Sequence, residues 1–251
     1  MSKNLISNTR NLVLLLLGFT FPLSVALSNI LVVLLAVLIL VDGSFSEKIQ
    51  KINSSKWMKS VLILWVMYIS YYLIFRDFTN TSFRLIKIIS LLLLLPIFYS
   101  SSFSEKTIQK SVFAFLISMF LSSVIAIAEN YEIIHLNPNW TWSAFLKYTD
   151  HNVFLAFSLI ISLYSLFRIK LENKYRNILL FFIPLYLFSL FTEGGKAGQL
   201  AFLFSIILFL IFLFKKKWKL LLLSMVSVFV FSAIVYNTSD IVKMQTKSNF
   251  L

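Results

Sequence analysis

The sequence predicts an all-α integral membrane protein, and both its composition and the arrangement of its apolar residues indicate this fold class. Of the 251 residues, 59% are hydrophobic and only 13% are charged. The mean hydropathy is +0.87. The apolar residues form long runs separated by short polar segments, a pattern typical of helices that cross a bilayer several times. A soluble core cannot bury so many apolar side chains, so the whole chain, residues 1–251, is predicted to form one polytopic membrane domain.

The apolar runs predict about nine transmembrane helices, most of them near the length that a bilayer requires. The predicted helices are residues 11–22, 24–41, 60–75, 82–99, 111–128, 151–167, 177–191, 197–214 and 220–236. The loops between them are short, and residues 237–251 are predicted to begin a segment on the outer side. Thr149 or Asp150 is predicted to cap the helix that begins at residue 151, because both side chains can accept a hydrogen bond from a first-turn N–H group.

The first apolar region, residues 11–41, allows three interpretations. It is interrupted at residues 21–24, so it is one over-long helix, a hairpin of two short helices, or a signal peptide cleaved near residues 25–28. A single span would put the N-terminus and the lysines of residues 42–59 on opposite sides of the membrane, whereas a hairpin keeps both inside. The hairpin and a cytoplasmic N-terminus are therefore preferred, although residues 11–21 are short for a span.

Basic residues are distributed unequally between the two sides of the predicted membrane. The net charge of +13 would suggest nucleic acid in a soluble protein, but here it lies mostly in short loops, where it sets topology. With the N-terminus inside, 16 of the 23 basic residues fall on the inner side. The other seven are Arg76, Arg84, Lys87, Lys147, Lys196, Lys243 and Lys247. The positive-inside rule does not explain these seven, so they are candidates for function, and no nucleic-acid partner is expected.

The residue types that build metal and thiol sites are scarce. The sequence has no cysteine, which excludes a disulfide framework, a thiol nucleophile and a Cys-ligated zinc site. Its two histidines, His135 and His151, lack the spacing of metal ligands. No metal and no cofactor are therefore expected.

Residues 191–200 contain three of the chain's five glycines, together with Glu193 and Lys196, between two apolar runs. Glycines just before a helix allow backbone N–H groups to converge, and the helix N-terminus adds a partial positive charge. A lysine there completes a site suited to an anion such as phosphate. The alternative is a tight loop in which the lysine only extends to lipid headgroups.

Three predicted helices, those beginning at residues 82, 151 and 197, start on the outer side with polar residues. If the three ends cluster, their dipoles and cations form an outer pocket that fits a lipid diphosphate, with its apolar tail between helices. The residues at these ends are Arg84 and Lys87, Asp150 and His151, and Glu193, Gly194, Gly195 and Lys196. Each also has a simpler interpretation: the cations bind membrane lipids, Glu193 pairs with Lys196, and His151 forms a hydrogen bond near a helix start.

The pattern of short-looped helices and three short motifs resemble the superfamily of O-antigen ligases and O-antigen polymerases. The motifs are Phe21-Pro22-Leu23-Ser24 in the opening hairpin, Asp150-His151-Asn152-Val153-Phe154-Leu155 at a helix start, and Gly194-Gly195-Lys196-Ala197-Gly198. Many members carry a small-residue turn with a basic residue at the last position, of the form Ser-Arg-Gly-Ala or Gly-Gly-Arg-Thr-Gly. The resemblance covers essentially the whole chain by pattern.

This resemblance implies a metal-independent glycosyl transfer at the periplasmic face of the bacterial inner membrane. The donor is a glycan on undecaprenyl diphosphate, and the acceptor is lipid A–core for a ligase or a second lipid-linked glycan for a polymerase. Lys196 stands where the family's basic residue is thought to hold the diphosphate leaving group. Lys replaces the usual Arg, which keeps the charge but loses the bidentate fork.

Members of the superfamily continue into a large periplasmic loop with further catalytic residues, including a histidine, and then more helices. By the same resemblance the 251-residue chain is expected to be incomplete and inactive alone, and no catalytic residue is assigned. Ligase and polymerase remain open alternatives. Two other classes are also open: a transporter or flippase for lipid-linked anionic solutes, and a non-catalytic membrane scaffold. A transporter would favour charged or broken helices near the midplane and repeated halves. The sequence shows no repeat, and its charges lie at helix ends.

Overall fold

The structure is a computed structural model that describes residues 3–43, 45–75, 89–134, 142–169, 171–192 and 196–214, together with residues 219 and 226. The described elements are α1 Lys3–Thr20, α2 Val25–Val41, α3 Phe45–Ser54, α4 Lys56–Phe75, a 3-10 turn Leu91–Leu93, α5 Leu94–Ser100, α6 Glu105–Asn130, β1 Trp142–Ser143, β2 Leu146–Lys147, α7 Tyr148–Arg168, α8 Asn173–Thr192 and α9 Lys196–Phe214. The predicted helix at residues 220–236 lies outside the described residues except for residue 226, and the segment 237–251 lies wholly outside them.

Five of the described helices, α4, α6, α7, α8 and α9, are long and apolar enough to cross a membrane. The number rises to six if α2 and α3, which meet at 107°, count as one broken span. The helices α1 and α5 are apolar but shorter. The protein is therefore a multi-pass, helical membrane protein, as the sequence predicts. The count of nine spans and the cytoplasmic N-terminus stay predictions.

The described residues fall into two compact units. One lies within Met1–Gly18 and Ala26–Val112, and the other within Phe19–Val25 and Phe113–Leu251. In the first unit α1 packs against α2 around Val13, Leu35 and Ile39. Arg10, near the middle of α1, forms an ion pair with Asp42, which follows the end of α2. The first apolar region is therefore two antiparallel helices in the structure, separated by a turn at residues 21–24.

The segment predicted as a plain loop, residues 42–59, contains α3 and the start of α4. Apolar residues recur in α3 at Phe45, Ile49 and Ile52, the spacing of one helix face, so the signal is present in the sequence. One lysine of this segment has a structural contact of its own. Lys48 Nζ donates to the carbonyls of Ile39 and Leu40 and so satisfies the free end of α2.

The predicted helix 82–99 differs from the structure where it can be compared. Its residues 82–88 lie outside the described residues. Leu91–Leu93 form a 3-10 turn, and a new α-helix, α5, begins at Leu94. This restart puts Pro96 in the first turn of α5, where its missing N–H group costs no helical hydrogen bond.

The second unit is built from α6 from Phe113 onward and from α7, α8 and α9, around a shared apolar core. The rings of Phe120 in α6 and Phe182 in α8 stack with centroids 4.6 Å apart. The hydroxyl of Tyr186 in α8 donates to the carbonyl of Leu116 in α6. The fully buried residues of this core include Leu116, Met119, Leu155, Leu159, Leu179, Tyr186 and Leu190. These contacts hold α6 and α8 next to α7 and α9, the two helices whose first residues belong to the predicted site.

The helices α7 and α9 run parallel and in contact along their length. Near their first residues, the backbone of Gly198 in α9 lies against Asn152 in α7. Near their last residues, Arg168 Nη2 donates to the carbonyl of Phe212, 3.3 Å away. The intervening helix α8 runs in the opposite direction, and its last turn is joined to α9 by a bond from Gln199 Nε2 to the carbonyl of Leu190, 3.2 Å. Residues at the starts of α7 and α9 are therefore held at one end of this unit.

Candidate functional site

A β-hairpin leads directly into α7 and covers its start. Ser143 pairs with Leu146, so Ala144 and Phe145 form a two-residue turn, and Ala144 has a positive φ of 52°. The N–H group of Ala144 donates to Glu129 Oε2 at the end of α6, 2.7 Å away. The sequence does not predict this hairpin, because its turn lacks the Asn-Gly or Asp-Gly pair that normally supplies positive φ. The Glu129 carboxylate instead stabilises the strained turn.

The helix α7 begins earlier than predicted. Its first residue is Tyr148, and its N-cap residue is Lys147, whose side chain makes no capping hydrogen bond. The prediction that Thr149 or Asp150 caps this helix is therefore wrong, because both lie inside its first turn. Asp150 is exposed there, where a carboxylate interacts favourably with the positive end of the helix dipole.

His151 and Asn152 are both fully buried, with 0% of their surface exposed. Asn152 Nδ2 donates to the carbonyl of Tyr148, one turn back, at 3.0 Å. Its Oδ1 accepts no hydrogen bond from the described residues. A buried carbonyl oxygen without a donor costs free energy, so Asn152 offers an acceptor for a hydroxyl group or a water molecule at this end of α7.

The start of α9 approaches α7 more closely than any side chain would allow. A Cβ atom on Gly198 would lie 2.4 Å from the carbonyl carbon and oxygen of Asn152, and 2.5 Å from its Cβ atom. Glycine is therefore required here for a close helix contact, rather than for turning the chain. Lys196, two residues earlier, is exposed at the first position of α9.

The structure brings together two of the three helix ends that the sequence proposes as a pocket. Lys196 stands at one of them, and Asp150 and His151 stand at the other. The remaining predicted residues lie outside the described residues: Arg84 and Lys87 at the third helix end, and Glu193, Gly194 and Gly195 before α9.

Buried serines are the polar residues that sequence reasoning missed. Ser118 and Ser122 in α6 and Ser162 in α7 are fully buried, and their hydroxyl groups have no hydrogen-bond partner among the described residues. Ser118 and Ser122 are four residues apart and so share one helix face, a signal that the sequence does contain. Small polar residues at such positions allow transmembrane helices to pack closely.

The start of the α7–α9 pair combines positive helix ends with charged side chains. Two helix N-termini and the Lys196 ammonium stand at the same end of the unit. Within the described part of the chain, no group of three His, Cys, Asp or Glu side chains is placed to hold a metal ion. Comparison of the chain with family models, curated proteins and solved structures finds no match.

Proposed function

We propose that the protein is an O-antigen ligase-like glycosyltransferase of the bacterial inner membrane. In this proposal it transfers a glycan from undecaprenyl diphosphate to lipid A–core at the periplasmic face. The observation that supports it is the contact between Gly198 and Asn152, which puts the starts of α7 and α9 side by side next to Lys196. A single diphosphate at this position interacts with both helix dipoles and with the ammonium group.

The chemistry needs an anion site because the leaving group gains charge. The acceptor hydroxyl oxygen bonds to the anomeric carbon, the bond from that carbon to the diphosphate oxygen breaks, and its electron pair goes to the diphosphate. The hydroxyl proton is released. In the proposal Lys196 stabilises the charge that develops on the diphosphate, which is the electrostatic part of the catalysis. Arg84 and Lys87 are proposed to contribute from the third helix end, with Gly194 and Gly195 supplying backbone N–H groups.

Binding of the donor lipid tests the anion site directly. Undecaprenyl diphosphate, undecaprenyl monophosphate and uncharged undecaprenol are titrated against the detergent-solubilised protein. We expect the diphosphate to bind most tightly and undecaprenol least. The substitution Lys196→Ala should weaken diphosphate binding roughly ten- to hundredfold, because a charge-assisted contact contributes about 1.5–3 kcal/mol.

Two further variants sharpen this experiment. Lys196→Arg should retain or improve binding, because arginine keeps the charge and adds a bidentate fork. Lys174→Ala is the matched control, since Lys174 is an equally exposed lysine at the first turn of α8, near the opposite end of the helices. Equal affinity of wild type and Lys196→Ala would indicate that the lysine only contacts headgroups.

The reaction itself is tested in the organism that makes the protein. Deleting its gene should leave glycan on the lipid carrier and lipid A–core without O-antigen, and a full-length copy of the gene, either wild type or with Lys174→Ala, should restore the joined product. A Lys196→Ala copy should not. Single repeats still joined to lipid A–core after deletion would indicate the polymerase instead. Lipid-linked glycan trapped on the cytoplasmic leaflet would indicate a flippase.

A further inference from the structure

A groove opens between the second halves of α7 and α9. Its volume is about 480 Å³, and its walls include Ile160 and Tyr164 from α7 and Ser205 and Phe209 from α9. Arg168 stands at the end of the groove where both helices stop. Tyr164 is 51% exposed, so the groove opens sideways into the surroundings of the helices, which are lipid for spans of this kind.

We propose that this groove binds one acyl chain of an anionic phospholipid, whose phosphate pairs with Arg168. The distance along α7 from Ile160 to Arg168 is about 12 Å at the helical rise of about 1.5 Å per residue. Half of a typical hydrocarbon core is roughly 15 Å. The groove therefore has the length of one leaflet, with its apolar walls at the depth of the acyl chain and its cation at the depth of the headgroup.

The charge at the open end matches an anion. Arg168 Nη2 donates to the carbonyl of Phe212, and a guanidinium group has five N–H donors, so it can bind a phosphate at the same time. Lys174 and Arg176, both exposed, lie in the first turn of the next helix, α8. Basic residues between transmembrane helices are a recurring form of headgroup site, and a zwitterionic lipid would gain less from them.

The groove is distinct from the proposed donor site. It lies at the opposite end of the α7–α9 pair from Lys196, and its lining residues begin at Ile160, more than two turns beyond Asn152. The phospholipid is therefore bound on the side of the membrane away from the proposed glycan transfer, and it fills the groove that the two helices leave on their lipid-facing side.

The first experiment measures lipid preference by native mass spectrometry of the purified protein. Phosphatidylglycerol, phosphatidylcholine and undecaprenyl diphosphate are added in separate titrations. Phosphatidylglycerol should bind at least tenfold more tightly than phosphatidylcholine. The substitution Arg168→Gln should abolish that preference, whereas Lys59→Gln, at an exposed lysine of α4 outside the groove, should change phosphatidylglycerol affinity less than threefold. Equal binding of the two phospholipids to wild type would overturn the proposal.

The second experiment fills the groove. Ser205→Trp puts an indole between α7 and α9 and should lower phosphatidylglycerol binding at least tenfold. Phe204→Trp is the control, because Phe204 is 69% exposed and does not line the groove. Unchanged binding to Ser205→Trp would mean that the acyl chain lies elsewhere. Displacement of phosphatidylglycerol by equimolar undecaprenyl diphosphate would assign the groove to the donor tail instead. If Ser205→Trp does not fold, the Arg168→Gln comparison still decides.

Discussion

The two ends of the α7–α9 pair differ in how closely the helices approach. At the first end, Gly198 lies so near Asn152 that a Cβ atom would be 2.4 Å from its carbonyl carbon. At the second end, the same helices leave a groove of about 480 Å³ lined by residues that include Phe209 and Phe212. The difference follows from residue size along α9, where Gly198 permits backbone contact and the larger side chains of Phe209 and Phe212 line the groove. One end is thereby suited to hold polar groups close together, and the other to admit a lipid chain.

The largest expected effect is at the end of the α7–α9 pair where Gly198 lies against Asn152, called here the closed end. Gly198→Leu should destabilise the protein by about 3 kcal/mol, near the top of the usual range for overpacking, because backbone atoms of Asn152 would have to move. It should also weaken diphosphate binding, since the starts of α7 and α9 would separate. The midpoint of SDS-induced unfolding in mixed micelles measures the first effect, and the lipid titration measures the second.

Ala197→Leu provides the control for this substitution. Ala197 is the neighbouring residue in the same turn of α9, and it is exposed, so the added side chain has space. It should change the free energy of unfolding by about 0.5 kcal/mol or less. If Gly198→Leu and Ala197→Leu were equally stable, the two helices would not be in backbone contact, and the contrast between the two ends would be lost.

The contact at Gly198 shows which part of the site the sequence predicts and which part it does not. The glycine-rich stretch and the start of the helix near residue 151 are recognisable in the sequence, and the structure brings these two helix starts together. From the sequence, the glycines are expected to turn the chain and to bind an anion. In the structure, Gly198 instead lies at the contact between α7 and α9. That contact depends on which residue of α7 faces α9, and the apolar periodicity of a lipid-exposed helix does not encode this.

The fold shows the same division between what the sequence predicts and what it does not. Apolar runs identify membrane-crossing helices because a bilayer imposes length and hydropathy on each one separately. The sequence pattern does not predict α3 when its lysines are attributed to topology alone, although Lys48 Nζ donates to a carbonyl at the end of α2. The sequence does not predict the β-hairpin, because its turn is stabilised by Glu129, a residue outside the hairpin. Local sequence patterns do not reveal that partner.

A second prediction concerns the β-hairpin at the closed end. Glu129→Ala removes the carboxylate that accepts a hydrogen bond from Ala144 and should destabilise the protein by about 2 kcal/mol, as expected for a hydrogen bond to a charged group. Faster hydrogen exchange at the start of α7 should accompany the loss. Glu132→Ala is the control, because Glu132 is exposed nearby and should cost about 0.5 kcal/mol or less. Equal effects of the two would mean that the turn does not depend on Glu129.

A third prediction places the same kind of test at the open end. Ser205→Trp adds more volume than Gly198→Leu but should cost about 1 kcal/mol or less, because the groove has room for the indole. The SDS unfolding midpoint of this variant should therefore lie well above that of Gly198→Leu. The reverse order would show that α7 and α9 are packed as tightly at their last residues as at their first.

The smallest effect on stability is expected at the residue with the largest proposed effect on function. Lys196 is exposed at the first position of α9, so Lys196→Ala should change the free energy of unfolding by about 0.5 kcal/mol or less. Its binding of undecaprenyl diphosphate should nevertheless fall roughly ten- to hundredfold. Measuring both quantities on one preparation separates a binding role from a structural one. A Lys196→Ala variant as unstable as Gly198→Leu would attribute any lost binding to disrupted helix ends rather than to a missing cation.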